Sequence, residues 1–217
     1  MHRLLISFFL ISLAGGLIPA SRIAWADSNA FEGRKLFTTY CLVCHGVKGD
    51  GKGPLAAAIK KGPANLAGTE TASRSDRELF LTINTGKSHE DILGMPKFST
   101  VLAGSQIDSL IAYIRFVQRS KYPLVGDPDR GRAVYAAYCS LCHGTDGKGE
   151  GIMTRVLTIH PADHTSAQKM DALSNEDLAR VIADGDLPKF MPSWRNVLNQ
   201  DEIDSLVGYI RLLSHLR

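Results

Sequence analysis

The chain has 217 residues, of which 44% are hydrophobic, and its 25 Lys and Arg against 22 Asp and Glu give a formal net charge of +3. The length is sufficient for two small domains. A chain this close to neutrality, with no basic run and no interleaving of basic with aromatic residues, is excluded as a nucleic-acid-binding protein.

The first 26 residues have the pattern of a cleaved export signal. A short positive segment, Met1-His2-Arg3, precedes an apolar stretch from Leu4 to Leu17, and Ala24-Trp25-Ala26 is a small-x-small cleavage site. An uncleaved anchor is the alternative, but this stretch is shorter than the roughly 20 residues that a membrane span needs. No later segment is long or apolar enough to cross a bilayer. We therefore predict a signal peptide over residues 1–26 and a periplasmic mature protein.

Two Cys-x-x-Cys-His runs, 98 positions apart, use all four cysteines of the chain. They are Cys41-Leu42-Val43-Cys44-His45 and Cys139-Ser140-Leu141-Cys142-His143. The spacing is typical of c-type haem attachment. Two thiols on one helical turn can form thioethers to the haem vinyl groups, and the adjoining histidine then lies under the porphyrin, where it can ligate the iron. Two disulfides of an exported protein and a zinc site are the alternatives.

A repeat extends beyond these motifs over almost the whole chain that follows the predicted signal peptide. The matched pairs are Gly33-Arg34 with Gly131-Arg132, Pro63-Ala64 with Pro161-Ala162, Met95-Pro96 with Met191-Pro192, and Ile107 to Leu110 with Ile203 to Leu206. The offset is 98 residues at first and 96 later, so the loops differ slightly in length. We predict a duplicated domain, with one copy over 27–121 and the other over 122–217.

Each copy is predicted to be helical, with glycine-rich loops and no alternating strand pattern. Asn29 with Glu32 has the form of a capping box at the first helix, and Asp127-Pro128 offers an N-cap followed by proline in the second copy. The middle helices begin at Ser75 with Glu78 and at Ser174 with Asp177, and stop near Gly86 and Gly185. The last helices have one apolar face each, formed by Ile107, Leu110, Ile111, Ile114 and Val117, and by Ile203, Leu206, Val207, Ile210 and Leu213.

With these elements each copy resembles the class I c-type cytochrome family, from its first helix to its last. The resemblance implies an all-α fold, a tandem duplication of the class I cytochrome c fold with one covalent haem c per domain. Haem would be attached at Cys41, Cys44, Cys139 and Cys142. The family's close crossing of first and last helices would bring Gly33 and Phe37 to Leu110 and Tyr113, and Gly131 and Tyr135 to Leu206 and Tyr209.

The resemblance also implies the iron ligands. His45 and His143 would be the proximal ligands, and Met95 and Met191 match the family's second axial ligand. The proline after each methionine biases it toward extended backbone, which suits a rigid loop. Four further histidines compete only weakly, because they are unpaired between the copies: His89, His160, His164 and His215.

The resemblance also implies a contact that orients each proximal histidine. In the family a proline carbonyl accepts a hydrogen bond from the other ring nitrogen, and Pro63 and Pro161 match that proline. The first copy continues with Asn65-Leu66 as the pattern requires, whereas the second copy departs from it with Asp163-His164.

Histidine–methionine ligation fills both axial positions of an iron and favours one-electron exchange over oxygen or peroxide chemistry. We predict a non-enzymatic diheme carrier, possessing two covalent haem c groups. It would pass electrons between a donor dehydrogenase or quinol-oxidising complex and a terminal oxidase or reductase, and peripheral contact with the membrane is left open. A cytochrome subunit of a larger oxidoreductase complex needs the same sites. A diheme peroxidase is the third alternative, against which Met95 and Met191 argue.

The two predicted domains differ in charge. Residues 27–121 contain 13 Lys and Arg against 9 Asp and Glu, a balance of +4, whereas residues 122–217 contain 10 against 13, a balance of −3. Such an asymmetry can orient a chain in the field of a partner. Solvated surface charge is the plainer interpretation.

Overall fold

The computed structural model describes residues 29–87 and 94–215. The predicted signal peptide and His89 lie outside these residues. Within them the regular structure is helical, and extended pairing is limited to two isolated bridges, Lys87 with Met95 and Asp186 with Met191. The predicted all-α class is therefore confirmed.

The helices follow the same order in both copies. The first copy contains α1 (Ala30–Tyr40), α2 (Leu42–His45), α3 (Thr69–Ala72), α4 (Asp76–Thr85) and α5 (Gly104–Arg119), with 3₁₀ turns at Ala56–Ala58 and Phe98–Thr100. The second contains α6 (Pro128–Val134), α7 (Ser140–His143), α8 (Thr154–Leu157), α9 (Ala167–Met170), α10 (Asn175–Asp184) and α11 (Gln200–Leu213), with a π-helical turn at Tyr135–Cys139 and a 3₁₀ turn at Leu187–Lys189.

The predicted caps set the helix ends. The Asn29 side chain accepts a hydrogen bond from the Glu32 backbone at 2.9 Å, and Asp127 caps α6 with Pro128 in its first turn. Complete capping boxes open α4 and α10, which end at glycines with positive φ angles of 70° and 76°. These helix limits follow from local hydrogen bonding, which is why they could be predicted from the sequence.

The first and last helices of each copy cross in close contact. The rings of Phe37 and Tyr113 are 5.2 Å apart, and so are those of Tyr135 and Tyr209. The backbone that faces Gly33 and Gly131 belongs to Ser109 and Ser205, one residue before the leucines expected there. Those leucines, Leu110 and Leu206, are buried in the core beside the crossing.

The two copies pack against each other through their first helices. Arg34 of α1 pairs with Asp129 of α6, and Arg132 of α6 donates to the Glu32 carboxylate of α1 at 3.0 Å. Arg34 and Arg132 are equivalent in the repeat, and each pairs with an acidic residue of the other copy. An edge-to-face contact of Phe31 with Tyr209, at 5.5 Å between ring centroids, lies in the same interface.

A buried arginine ties the last helix of the second copy to the loop before α10. Arg211 is 0% exposed, and its guanidinium donates to the backbone carbonyls of Met170 at 2.6 Å and Leu173 at 2.7 Å, and to the Asn175 side chain at 2.9 Å. Arg115 forms equivalent bonds to Ala72 and Arg74 in the first copy. The arginine thus satisfies loop carbonyls that lie away from water.

Replacing Arg211 with methionine is expected to lower the free energy of unfolding by about 3 kcal/mol, because two carbonyls lose their hydrogen-bond donor. Urea unfolding followed by circular dichroism measures this loss. The control is Arg180→Met, a substitution on an exposed face of α10, for which we expect a change within about 0.5 kcal/mol. Equal midpoints for the two variants would contradict the assigned role of Arg211.

Candidate functional site

Each Cys-x-x-Cys-His run forms a single helical turn directly after the first long helix of its copy. In the first copy the amide of His45 donates to the Cys41 carbonyl at 2.9 Å, and Gly46, with a φ of 76°, ends the turn. Gly144 ends the second turn with a φ of 78°. Residues three and four positions apart share one face of such a turn, so both cysteines and the histidine of a motif project from the same side of it.

All four cysteines are free and partly buried. Burial, assisted by the neighbouring cysteine, raises the pKa of the Cys41 thiol to about 12, and the same causes raise the pKa of Cys139 to about 12. None of the four thiols is in a disulfide, so each is available for a covalent bond with a prosthetic group.

The two motif histidines, His45 and His143, have matching hydrogen bonds. His45 Nδ1 lies 2.9 Å from the Ala64 carbonyl oxygen, and His143 Nδ1 lies 3.0 Å from that of Ala162. Because a carbonyl only accepts, Nδ1 carries the proton and Nε2 keeps its lone pair for a metal. Burial also lowers the pKa of both imidazoles, which favours the neutral, ligating form.

The expectation that the acceptors are Pro63 and Pro161 was wrong by one residue in each copy. Each proline carbonyl instead faces a glycine turn: a Cβ added to Gly51 would lie 2.7 Å from the Pro63 oxygen, and one added to Gly149 would lie 2.6 Å from the Pro161 oxygen. The carbonyl of the following alanine is thereby turned toward the imidazole. The departure at Asp163-His164 leaves this bond intact.

The two Met-Pro loops are held by backbone hydrogen bonds to the ends of the middle helices. The Lys87 amide donates to the Met95 carbonyl at 3.0 Å, and the Asp186 amide donates to that of Met191 at 2.9 Å. Both methionines are partly buried and pack against the core. The backbone at Met95 and at Met191 is thus tied to the residue that follows the middle helix of its own copy.

The structure brings one further histidine to a candidate ligand. The ring of His164 stacks on that of His143, with centroids 4.2 Å apart and an interplanar angle of 16°. Sequence reasoning had considered His164 only as a weak competitor for the sixth position. The sequence signal for the contact with His143 is the difference at equivalent positions of the repeat, where the first copy has Leu66 and the second has His164.

The two thiols and the imidazole with a free Nε2 in each motif are a donor set that fits a covalently attached haem. In residues 29–87 and 94–215 no three His, Cys, Asp or Glu side chains group together as a metal cluster. The two motifs therefore do not combine into one tetrahedral site. No helix within residues 29–87 and 94–215 has the length and apolarity of a membrane span.

Comparison with known proteins agrees with this geometry. The family model for cytochrome C oxidase, cbb3-type, subunit III matches twice, over residues 28–114 and 126–210. The chain is 26% identical to the Cbb3-type cytochrome c oxidase subunit FixP of Azorhizobium caulinodans, over 84% of this chain and 59% of that protein. It is 22% identical to the Cytochrome bc1 complex cytochrome c subunit of Mycobacterium tuberculosis, over 95% of this chain and 74% of that one.

A solved structure also matches. A chain of the Kuenenia stuttgartiensis reducing HAO-like protein complex is 23% identical, with a TM-score of 0.35, over 84% of this chain and 95% of that one. The FixP relative is longer than this chain, which spans less than two thirds of its length.

Proposed function

Since the chain belongs to the cytochrome c oxidase, cbb3-type, subunit III family, with two copies of its domain, we propose that it carries single electrons between redox partner proteins through two His/Met-ligated haems. Membership makes it a diheme c-type cytochrome, with two covalently bound haem c groups that serve electron transfer. The ligand assignment, the partners and the location are the parts proposed here.

Cys41 with Cys44, and Cys139 with Cys142, are proposed as the thioether attachment points. When bound, haem supplies a reversible one-electron couple at its iron. The observation that carries the ligand assignment is the match between the copies: in each, a carbonyl holds Nδ1 of a partly buried histidine, and the backbone at a Met-Pro pair is hydrogen-bonded next to the middle helix.

In this proposal His45 with Met95 would hold the iron of the first copy, and His143 with Met191 would hold that of the second. Side chains of the protein then leave no position for oxygen or peroxide, which argues against the peroxidase alternative. The hydrogen bond to each histidine and the backbone bonds at each methionine limit the movement of these residues, and small movement favours rapid electron exchange. We therefore assign the chain to electron transfer without substrate turnover.

The proposed setting is the periplasm, with a dehydrogenase or quinol-oxidising complex as donor and a terminal oxidase or reductase as acceptor. The second candidate is a subunit held in a larger oxidoreductase complex. It is favoured by the names of the relatives, which are subunits of an oxidase and of a bc1 complex. Purification from native membranes distinguishes the two: co-purification with a catalytic subunit supports the subunit, and recovery as a free monomer supports the shuttle.

The haem content gives a direct test. We expect two covalent haems per chain after denaturation, one in the Cys139→Ala/Cys142→Ala variant and one in the Cys41→Ala/Cys44→Ala variant. Pyridine haemochrome spectra of denatured protein measure the ratio, since only thioether-linked haem stays with the chain. A redox titration of the intact protein should show two one-electron couples. Two haems retained by either double variant would contradict the attachment sites.

A further inference from the structure

The two copies differ at one pair of positions beside the proximal histidine. The first copy has Phe37 and Leu66, and the second has Tyr135 and His164, at the same offset of 98 residues. The backbones at these positions are equivalent: the Leu66 amide donates to the Gly49 carbonyl at 2.6 Å, and the His164 amide donates to that of Gly147 at 2.7 Å. The difference therefore lies in the side chains.

In the second copy the two changed residues contact each other. The Tyr135 hydroxyl and His164 Nδ1 share a hydrogen bond of 3.0 Å. Both side chains are buried, with exposures of 1% for Tyr135 and 9% for His164. Either polar group alone would be buried without this partner, which destabilises the fold. This explains why tyrosine and histidine occur together in one copy, and phenylalanine and leucine in the other.

The buried pair also contacts the candidate ligand of its copy. The His164 ring lies flat on the face of the His143 ring, with centroids 4.2 Å apart. The first copy has the aliphatic Leu66 at the equivalent backbone position. The stacking restricts rotation of the His143 ring. It also places a polar group beside the ligand in a poorly solvated interior.

The stacked ring has a definite electrostatic effect. The π face of an aromatic ring is electron-rich, so a ring stacked on a histidine ligand stabilises the positive charge that the ligand takes on beside ferric iron, whereas an aliphatic neighbour does not. The charge balance of the two halves acts in the same direction, since the second carries −3 and the first +4. Negative charge around an iron also favours its ferric state.

On the basis of the proposed function, we propose that Tyr135 and His164 are positioning residues that act through His143 and lower the reduction potential of the second haem below that of the first. The haem of the second copy is then the first to lose its electron, and an electron held by the chain rests in the first copy. The duplication thereby becomes a directed pair of redox centres.

A reciprocal exchange tests this proposal. Tyr135→Phe with His164→Leu gives the second copy the side chains of the first, and Phe37→Tyr with Leu66→His does the reverse. We expect the first exchange to raise only the second haem's potential and the reverse exchange to lower only the first haem's. The expected change is about tenfold in the electron-sharing equilibrium, equivalent to about 59 mV for one electron.

Spectroelectrochemical titration of the holoprotein measures the two potentials. The second haem is identified as the one whose sulfur-to-iron absorption band is lost when Met191 is replaced. The ferric electron paramagnetic resonance signal reports the ring plane of His143, which should reorient only in the first exchange. Unchanged potentials in both exchanges, with two haems retained, would overturn the proposal while leaving the proposed function intact. Fewer than two covalent haems on the unmodified protein would instead refute the proposed function.

The double exchange keeps folding separate from tuning. His164→Leu alone leaves the buried Tyr135 hydroxyl without this partner, so we expect it to unfold more readily than the double variant. If the double variant restores stability yet retains the raised potential, the effect belongs to the ligand environment. If the potential returns to its original value when stability does, the role is structural and the proposal fails.

Discussion

Replacement of Met191 by alanine is expected to remove the sulfur-to-iron absorption band, near the red end of the ferric spectrum, from one of the two haems. The variant loses the thioether that favours ferrous iron, so that haem's potential should fall by on the order of 0.1 V or more, within the roughly 0.8 V range that axial ligands span. The open position should also allow carbon monoxide to bind after reduction. Spectroelectrochemistry and a carbon monoxide difference spectrum measure both effects.

The chain provides matched variants for this experiment. Met95→Ala should have the same effect on the other haem, and the double variant should lose the whole band. Met153, which has no counterpart in the first copy, is the control, and Met153→Ala should keep the band and both potentials. An unchanged spectrum in both single variants would contradict the ligand assignment. Rapid peroxide turnover by the unmodified protein would instead favour the peroxidase alternative.

The sequence predicts the helices and their ends well because the signals that define them are local. Capping at Ser75 and Ser174 involves residues three positions apart, and the glycines that follow α4 and α10 act at their own positions. The repeat adds a second reading of each element. Agreement between two copies of one pattern is why the fold class could be derived without the structure.

Non-local packing accounts for what the sequence did not predict. The acceptor for His45 is Ala64 instead of Pro63 because the proline carbonyl faces the glycine turn at Gly51, a contact between distant parts of a loop. The stacking of His164 on His143 likewise depends on where the loop returns to the motif. Such contacts are fixed by chain geometry over about 20 residues, which spacing alone does not determine.

The contact between the copies also could not be predicted from the sequence. Arg34 and Arg132 look like ordinary surface charges in the repeat, yet each pairs with a carboxylate of the other copy. Their pairing depends on the angle at which the copies pack, and the sequence repeat does not determine that angle. The packed arrangement gives the two redox centres a defined relation, which a directed electron path requires.

The largest expected effect on folding is that of Gly131→Ala. A Cβ at this position would overlap the carbonyl oxygen of Ser205 and lie 2.9 Å from Cβ of Tyr209, so α6 and α11 would have to separate. Separation would disrupt the helix crossing that places the Cys139 motif, at a cost of about 3 kcal/mol or more. We expect reduced haem incorporation in cells and a lower thermal midpoint in any protein recovered.

Two further glycines make this prediction specific. Gly33 has the same relation to Ser109 and Tyr113 in the first copy, so Gly33→Ala should destabilise that copy equally. Gly104, in the first turn of α5, has only the Phe80 ring nearby, at 3.7 Å or more. Gly104→Ala should therefore be neutral or slightly stabilising, since alanine favours helix by up to about 1 kcal/mol. Thermal unfolding of the three variants tests this order of stabilities. Equal midpoints for Gly131→Ala and Gly104→Ala would refute the prediction, because the close crossing would then tolerate a side chain.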